Sequence, residues 1–361
     1  MDESLADRAK VPLAKGLSEQ EMRTVLLKAG WPTDQVTQYV KRAYKSLDTS
    51  TLLKVSGVAK VFGQSVVLDQ VDFEVKRGEI FGLIGVSGAG KSTLLNVLVG
   101  FLRPDRGEVL LALPDGRQES VVRNPSVVKE FVGFSTQTPS FYPKLTVWEN
   151  VAHFAALYHL TEPDLSRRCQ ALIELVGLKD AKDVIASQLS GGMQKRLDIA
   201  CALIHDPELL ILDEPTADLD PILRKSLWEL IKEINAKGTT IMLASHFLAE
   251  IELLCSRIGI LQNRRIVELG TAQELRSIYS RNYEVFVQTS SHRYEKLMKV
   301  LQQGKRYVAK VSQDDGELVI QTGSPEKVLA LLSSQFAPGE LESMHVSRPT
   351  LGQVFEVVVK R

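Results

Sequence analysis

The stretch that most constrains this fold runs from Gly85 to Thr93 and reads Gly-Val-Ser-Gly-Ala-Gly-Lys-Ser-Thr. It follows a strand-like run at 79–84 and leads into a helix-like run at 94–99. A strand, a glycine-rich turn and a helix in this order form a loop whose backbone N–H groups can surround a phosphate. Glycines permit the positive φ angles that such a loop needs, and the helix start adds partial positive charge. The sequence therefore predicts a nucleotide phosphate site in an α/β fold.

Two side chains of this loop have predicted roles of their own. Lys91 would reach the β- and γ-phosphates, and the Ser92 hydroxyl would ligate Mg²⁺. The alternative is a chance glycine-rich turn, which the strand and helix on either side disfavour. The predicted phosphate-binding residues are Gly85, Val86, Ser87, Gly88, Ala89, Gly90, Lys91, Ser92 and Thr93.

Length and charge limit the class of protein. A chain of 361 residues is long enough for about two or three domains. Lys+Arg and Asp+Glu balance at 44 each, so no basic excess points to nucleic acid as a partner. No apolar run reaches the roughly 18 residues that a membrane-spanning helix needs, and the first residues lack a signal-peptide pattern. The three cysteines are far apart, which favours reduced thiols and a cytoplasmic protein.

Residues 1–50 read as a separate helical appendage. Ser18 to Glu21 has the spacing of a capping box and opens one helix, and Trp31-Pro32 restarts another. The two short helices predict a helical hairpin, and the polar stretch at 45–51 predicts a linker. Docking of a partner and a purely structural role both fit this hairpin.

The rest of the chain divides into two predicted domains. In 51–275, short apolar runs at 209–212 and 239–244 follow helix-like segments, as buried parallel strands do. The stretch at about 138–205 is almost wholly helical and predicts a helical subdomain. Residues 276–361 have the order β-α-β-β-α-β, with a hairpin signal at Asp314-Asp315-Gly316. That order predicts a small ferredoxin-like α+β domain, and it contains no catalytic cluster.

An acidic pair follows the predicted strand at 209–212. Because ligands bind at the carboxyl ends of parallel strands, Asp213 and Glu214 are expected to face the nucleotide. Asp213 is suited to hold Mg²⁺ or its water, and Glu214 can act as the general base on the attacking water. The alternative is an acidic helix start, which also favours such residues.

A second anion site is predicted at Ser190-Gly191-Gly192, where Ser190 caps a helix with exposed N–H groups. A common loop before a helix is the alternative. His246 follows the strand at 239–244 and can hydrogen-bond a γ-phosphate. Gln137 offers an amide to Mg²⁺ or to the attacking water, and Phe62 is positioned either to stack on a base or to lie in the core.

In this order, the motifs resemble the nucleotide-binding domain of ATP-binding-cassette (ABC) transporters, a P-loop NTPase fold. The resemblance covers 52–275 and consists of an A-loop aromatic (Phe62), Walker A (Gly85–Ser92), Q-loop (Gln137), signature (Leu189–Gln194), Walker B (Leu209–Glu214), D-loop (Ala217–Asp220) and switch histidine (His246). A single match is weak evidence, but the ordered set is highly specific.

The resemblance implies an ATPase that uses ATP and Mg²⁺ and works as a head-to-tail dimer with a second ATP-binding subunit, with Asp220 near the opposite site. A homodimer is favoured, and a heterodimer stays open. Each ATP would lie between the Walker A loop of one chain and the signature of the other. This interface is self-complementary and forms a closed, two-fold symmetric pair. The implied catalytic residues are Glu214, His246, Lys91 and Gln137; the implied metal site consists of Ser92, Gln137 and Asp213; and the remaining nucleotide contacts include Ser190, Gly191 and Gly192.

The resemblance also implies a separate polytopic membrane permease. Binding to this permease would place the chain at the inner face of the cell membrane. Residues at 139–160, including Tyr142 and Trp148, resemble the surface that receives the permease. The ending Arg348-Pro-Thr-Leu-Gly-Gln-Val-Phe355 resembles that of daunorubicin- and sodium-exporter subunits, but Gly352-Gln353 stands where that group often has two acids.

Export is thus the favoured direction, while import and lipid extraction stay open. A non-transport ABC ATPase that acts on ribosomes or DNA is the alternative function. The single cassette, the lack of sustained heptads and the balanced charge disfavour it.

Overall fold

A computed structural model describes residues 50–279, 283–303, 307–314, 316–337, 339–348 and 350–359. Residues 1–49, which hold the predicted helical hairpin, and Asp315 of the predicted turn lie outside the described residues. The chain divides into two compact units, one ending at Leu269 and one beginning at Gly270. Among the described residues, no helix is both long enough and apolar enough to cross a bilayer.

The first unit contains two sheets. Its strands are β1 (Thr51–Phe62), β2 (Ser65–Lys76), β3 (Ile80–Ile84), β4 (Arg106–Ala112), β5 (Gln118–Ser120), β6 (Val132–Ser135), β7 (Leu209–Asp213), β8 (Thr240–Ala244), β9 (Arg257–Gln262) and β10 (Arg265–Gly270). One sheet has the order β2-β1-β4-β5 with antiparallel pairs. The other has the order β10-β9-β3-β8-β7-β6, in which β9, β3, β8, β7 and β6 pair in parallel.

The parallel strands are buried along their whole length, which explains their sequence pattern. Every residue of β3, β7 and β8 is buried. Because helices cover both faces of such a sheet, its strands are continuous apolar runs rather than alternating ones. The strands predicted at 209–212 and 239–244 are confirmed. Residues 66–68 and 71–75 lie in the single strand β2, which continues through a positive φ of 52° at Gln70. Val71, Phe73 and Val75 are buried and alternate with more exposed residues, as in a half-buried strand.

The helices of the first unit are α1 (Lys91–Leu98), α2 (Pro125–Lys129), α3 (Val147–Leu157), α4 (Asp164–Leu175), α5 (Gly191–Leu203), α6 (Pro221–Ala236) and α7 (Leu248–Leu254). Helices α3, α4 and α5 lie between β6 and β7, in the stretch predicted as helical. Helix α3 opens with a complete capping box, in which Thr146 Oγ1 accepts from Glu149 N and the Glu149 side chain accepts from Thr146 N.

The second unit has the predicted ferredoxin-like topology. It contains α8 (Ala272–Tyr279), β11 (Tyr283–Thr289), α9 (Glu295–Gln303), β12 (Lys310–Asp314), β13 (Glu317–Thr322), α10 (Pro325–Ser333), β14 (Leu341–Ser347) and α11 (Leu351–Val359). The sheet order is β12-β13-β11-β14, and all three pairs are antiparallel. Apolar residues of β11 and β13 pack against α9 and α10. The division falls before α8, which packs on α11, whereas the sequence pattern placed it after residue 275.

Helix α11 contains Gly352 and Gln353, the two residues that depart from the exporter-type ending. Its contacts explain Gln353. Gln353 Nε2 donates to Glu284 Oε2 at 2.9 Å, and Gln321 Nε2 donates to Glu284 Oε1 at 3.0 Å. Glu284 is 5% exposed. Since a buried carboxylate needs hydrogen-bond donors, an amide fits at position 353 where a second acid would repel Glu284.

Candidate functional site

The Gly85–Thr93 loop connects the end of β3 to the start of α1 and is shaped by its glycines. Gly90 caps α1 with a φ of 102°, which disfavours any other residue. A Cβ at Gly85 would lie 2.6 Å from the carbonyl oxygen of Leu261, so a larger residue cannot fit there without movement of the backbone. The loop follows a fully buried strand and starts a helix, which is the context that phosphate binding requires.

Lys91 is held inside this loop. Its side chain is largely buried, and Nζ donates to the Gly85 carbonyl oxygen at 2.9 Å. The same Nζ lies 3.7 Å from Glu214 Oε1. The lysine charge therefore lies between the glycine-rich loop and the acidic pair, where phosphates of a nucleotide would need it.

A cavity of about 410 Å³ opens over the loop, a size typical of small-molecule sites. Its lining unites residues that are far apart in the chain: Val67, Ser87, Gly88, Gly90, Lys91, Ser92, Thr93, Gln137, Glu214 and His246. Most of the predicted site residues therefore share one cavity. Val67, from β2, was not predicted.

Asp213 is the last residue of β7 and does not line this cavity, but it has the properties of a metal ligand. Burial raises the pKa of its carboxyl, while a hydrogen bond from the Ser92 hydroxyl opposes that shift. Its Oδ1 atom is buried and has no hydrogen-bond partner in the described part of the chain. A buried carboxylate oxygen without a donor is costly, and a hard cation would satisfy it. The pairing of Asp213 with Ser92 thus fits Mg²⁺, whose ligands are oxygen atoms.

Glu214 and His246 are brought together by the register of two neighbouring strands. Asp213 of β7 lies opposite Ala244 of β8, so the residues that follow the two strands meet. His246 Nδ1 lies 2.7 Å from Glu214 Oε2, and the His246 backbone N–H donates to the same oxygen at 3.3 Å. Glu214 has a positive φ of 51°, an uncommon backbone conformation for a non-glycine residue that is enriched at functional sites.

The segment that carries Gln137 is attached to α5 at both ends. Lys195 Nζ donates to the Gln137 carbonyl oxygen at 2.7 Å. The fully buried Asp198 accepts from the Ser135 hydroxyl and, at 2.7 and 2.8 Å, from the Ser140 N–H and hydroxyl. Sequence reasoning missed both Lys195 and Asp198. No local signal marked Asp198, because every residue of α5 from Leu197 to Leu203 is buried and no periodic face singles it out.

The signature residues lie outside the cavity of their own chain. Ser190 caps α5 by accepting from Met193 N at 3.3 Å, as predicted for a helix start. None of Ser190, Gly191 and Gly192 lines the cavity described above. Gly192 instead packs near Leu223, since a Cβ there would lie 3.2 Å from Leu223 Cδ1. The two predicted anion sites are therefore separate within one chain.

Phe62 and Asp220 occupy exposed positions. Phe62 ends β1 with 49% of its surface exposed, and Lys60 Nζ lies 5.4 Å from its ring centroid. A core role for Phe62 is therefore wrong, and stacking on a base stays a prediction because the ring does not line the cavity. Asp220 caps α6 by accepting from the backbone N–H groups of Ile222 and Leu223.

A glycine-rich phosphate loop after β3, an acidic pair at the end of β7 and a histidine after β8 define an ATPase of the ATP-binding-cassette class. The sequence matches the ABC transporter family over residues 68–217. It is 31% identical over 309 residues to the linearmycin resistance ATP-binding protein LnrL of Bacillus subtilis, an alignment that covers 84% of this chain and 97% of that protein. The chain belongs to the ABC transporter ATP-binding family.

Two further comparisons agree with this assignment. The Nod factor export ATP-binding protein I of Bradyrhizobium diazoefficiens is 40% identical over 207 residues, which is 57% of this chain and 66% of that protein. A solved ATP-binding subunit of an ABC transporter superposes with a TM-score of 0.57 at 33% identity, covering 63% of this chain and 93% of that one. The predicted fold class is confirmed.

Beyond the cavity, one histidine couples proton binding to folding. His205 follows α5 and stacks on Tyr158, with ring centroids 3.9 Å apart and planes 8° apart. Burial lowers the pKa of His205 to about 4. In an unfolded chain, a histidine titrates near pH ~6.5. As the pH falls below that value, the unfolded state binds a proton that the folded state does not, so the free energy of unfolding decreases down to about pH 4.

We expect His205→Phe, which keeps an aromatic ring on Tyr158, to remove this part of the pH dependence. From about pH 7.5 to 5, the free energy of unfolding should fall by about 2 kcal/mol more in the wild type than in the variant. Denaturant titrations at both pH values measure the difference. His159→Asn, at an exposed position, is the control and should behave as the wild type. An equal fall in the wild type and in His205→Phe would contradict the role of His205.

Proposed function

We propose that this chain is the ATP-hydrolysing subunit of an exporter, and that it drives a separate polytopic permease through closure and opening of a homodimer. One observation carries the proposal. Lys91, Glu214 and His246 share a cavity, whereas the capped helix start at Ser190 lies outside that cavity. One chain thus offers one phosphate loop with its acidic pair and one anion-binding helix start that its own cavity does not use. A two-fold pair of chains would complete two sites at once.

The polar side chains in and next to the cavity have proposed tasks. Ser92 and Asp213 would hold Mg²⁺, with Gln137 contributing directly or through water, and the cation would neutralise charge on the phosphates. Glu214 would take a proton from the attacking water. His246 contacts the Glu214 carboxylate through Nδ1 at 2.7 Å, and with both ring nitrogens protonated it would also donate a hydrogen bond from Nε2 to the γ-phosphate. Lys91 would bind the β- and γ-phosphates.

The dimer cycle follows from where these groups lie. With ATP bound, phosphate charge would attract both the loop at Lys91 and the helix start at Ser190 of the second chain. Hydrolysis removes the γ-phosphate that links them, so the dimer would open. The relatives named for linearmycin resistance and Nod factor export support export as the direction of transport. The permease would select the cargo and hold this subunit at the inner face of the cell membrane.

Recovery of the chain from detergent-solubilised membranes tests the coupling to a permease. We expect a polytopic membrane protein to co-purify with the wild type in amounts near one to one. Tyr142→Ala, at a side chain that is 49% exposed on the proposed permease-facing surface, should lower that yield at least about tenfold if Tyr142 lies in the core of the interface. Val267→Ala, at a side chain that is 40% exposed elsewhere on the unit, is the control and should retain it. Co-purification of ribosomes or DNA in place of a membrane protein would overturn the proposal.

A further inference from the structure

A buried carboxylate lies behind the cavity and takes no part in the chemistry described so far. Glu250, in α7, has no exposed surface. Its Oε2 atom accepts from the Thr216 hydroxyl at 2.9 Å and from the Ser245 hydroxyl at 2.8 Å. Its Oε1 atom accepts from Trp228 Nε1 at 3.1 Å. The three donors come from three separate elements: the segment after β7, the segment after β8 and helix α6.

Two of these donors lie next to the groups that are proposed to hydrolyse ATP. Thr216 follows Glu214 by two residues, and Ser245 directly precedes His246. The Ser245 hydroxyl also accepts from the Phe247 N–H at 3.0 Å, so the turn around His246 is held on both sides. The Glu250 carboxylate therefore joins the two segments on which the 2.7 Å contact between Glu214 and His246 depends.

The same carboxylate reaches the start of the segment that leads to Asp220. The Thr216 carbonyl oxygen accepts from Leu219 N at 3.3 Å, and Glu214 O accepts from Ala217 N at 3.2 Å. A change in the position of Thr216 would thus be passed both to Glu214 and to the residues expected to face the second chain.

Stability alone does not explain a carboxylate in this place. Burial raises the pKa of the Glu250 carboxyl, and the hydrogen bonds from Ser245, Thr216 and Trp228 oppose that shift. The charged group that acts on this carboxylate is Glu214, which raises the pKa of Glu250 as burial does. Buried charged or polar groups often stabilise less than apolar side chains of the same volume would. Such a group can instead fix one arrangement of the groups around it, which is what a hydrolytic site needs.

We propose that Glu250 is a positioning residue for ATP hydrolysis, which holds Thr216 and Ser245 together and thereby fixes Glu214 against His246. This inference rests on the proposed role of Glu214 as the general base. A positioning role would change the rate of hydrolysis without changing the affinity for ATP, whereas a merely structural role would change both. Binding of ATP depends on the loop at Lys91, which Glu250 does not contact, whereas the rate of hydrolysis depends on the alignment of Glu214.

The test removes single hydrogen bonds and measures kcat and the Kd for ATP separately. Thr216→Val deletes the hydroxyl and retains the branched shape, and we expect kcat to fall about tenfold or more because small misplacements of catalytic groups are costly. The Kd for ATP should stay within about twofold. Thr216→Ser, the matched control, keeps the hydroxyl and should retain most of the activity. Ser245→Ala removes the second bond and provides a second, independent variant.

A double-mutant cycle distinguishes positioning from an independent effect. In the Glu214→Gln background, Thr216→Val should lower kcat no further. The side chain at position 214 is then no longer a base, so its misalignment has no further effect on the rate. Thermal unfolding confirms that each variant is folded.

The inference would be overturned if folded Thr216→Val and Ser245→Ala both hydrolysed ATP within about twofold of the wild type. A parallel loss of ATP binding and hydrolysis would overturn it as well, because that pattern indicates a structural role. Failure of the proposed base is a separate result, since Glu214→Gln alone would then remain active.

Discussion

Glu214→Gln is expected to lower kcat for ATP hydrolysis at least about 100-fold, the range for loss of a general base, while the Kd for ATP stays within about twofold. Glutamine has the shape of glutamate and can keep the contact with His246, but its amide cannot take a proton from water. The carboxylate lines the cavity and contacts both Lys91 and His246, at 3.7 and 2.7 Å. The rate of phosphate release measures kcat, and equilibrium binding of a fluorescent ATP analogue measures the Kd.

Glu208→Gln is the matched control for this substitution. Glu208 directly precedes β7, at the opposite end of the strand from Glu214, and pairs with Arg77 at 2.7 Å on a partly exposed surface. Because surface ion pairs contribute little, this variant should hydrolyse ATP at nearly the wild-type rate. Turnover of Glu214→Gln near the wild-type rate would show that another group acts as the base.

Glu214→Gln should also change the oligomeric state of the chain. If hydrolysis opens the dimer, a chain that binds ATP without hydrolysing it accumulates in the closed form. We therefore expect Glu214→Gln to elute as a dimer in size-exclusion chromatography with ATP and Mg²⁺, and as a monomer without nucleotide. This readout needs no turnover, so it remains informative when no hydrolysis can be measured.

Local patterns in the sequence were sufficient to predict the phosphate loop and the central strands. The loop after β3 is set by glycines and a lysine that are contiguous in the chain, and β7 and β8 are continuous apolar runs because both faces of the sheet are covered. The acidic pair and His246 could be placed because parallel strands end at the same edge. The ferredoxin-like order of the second unit followed from alternating strand and helix patterns.

The polar contacts that hold the site in place could not be predicted, because their partners are distant in the chain. Glu250 and Glu252 both lie on α7 in the run Ala-Glu-Ile-Glu, yet only Glu250 is fully buried. Nothing local distinguishes a buried carboxylate from one on a solvated helix face. Asp198 likewise meets Ser135 and Ser140 across more than fifty residues of chain. Such residues become visible only when the sheet and the helices are assembled.

Lys91→Ala and Ser190→Asp are expected to be inactive when each is assayed alone and to recover hydrolysis when mixed. Lys91 supplies a charge-assisted contact to the phosphates, so its loss should weaken ATP binding at least about tenfold. Aspartate at 190 still caps α5, as serine does, but places a negative charge where the phosphates of the second chain's ATP would lie. Neither homodimer then contains an intact site.

A mixed dimer contains one intact site, built from Lys91 of the Ser190→Asp chain and Ser190 of the Lys91→Ala chain. Random pairing of equal amounts makes half of the dimers mixed, so hydrolysis should recover to about a quarter of the wild-type rate if the sites act independently. Ser190→Asn, which caps the helix without the charge, separates an effect on folding from one on phosphate binding. The proposed dimer predicts this recovery, since Ser190 lies outside the cavity that holds Lys91 in the same chain. If the mixture stays as inactive as its components although both bind as dimers, each cavity must complete its own site, and ATP cannot be the link between two chains.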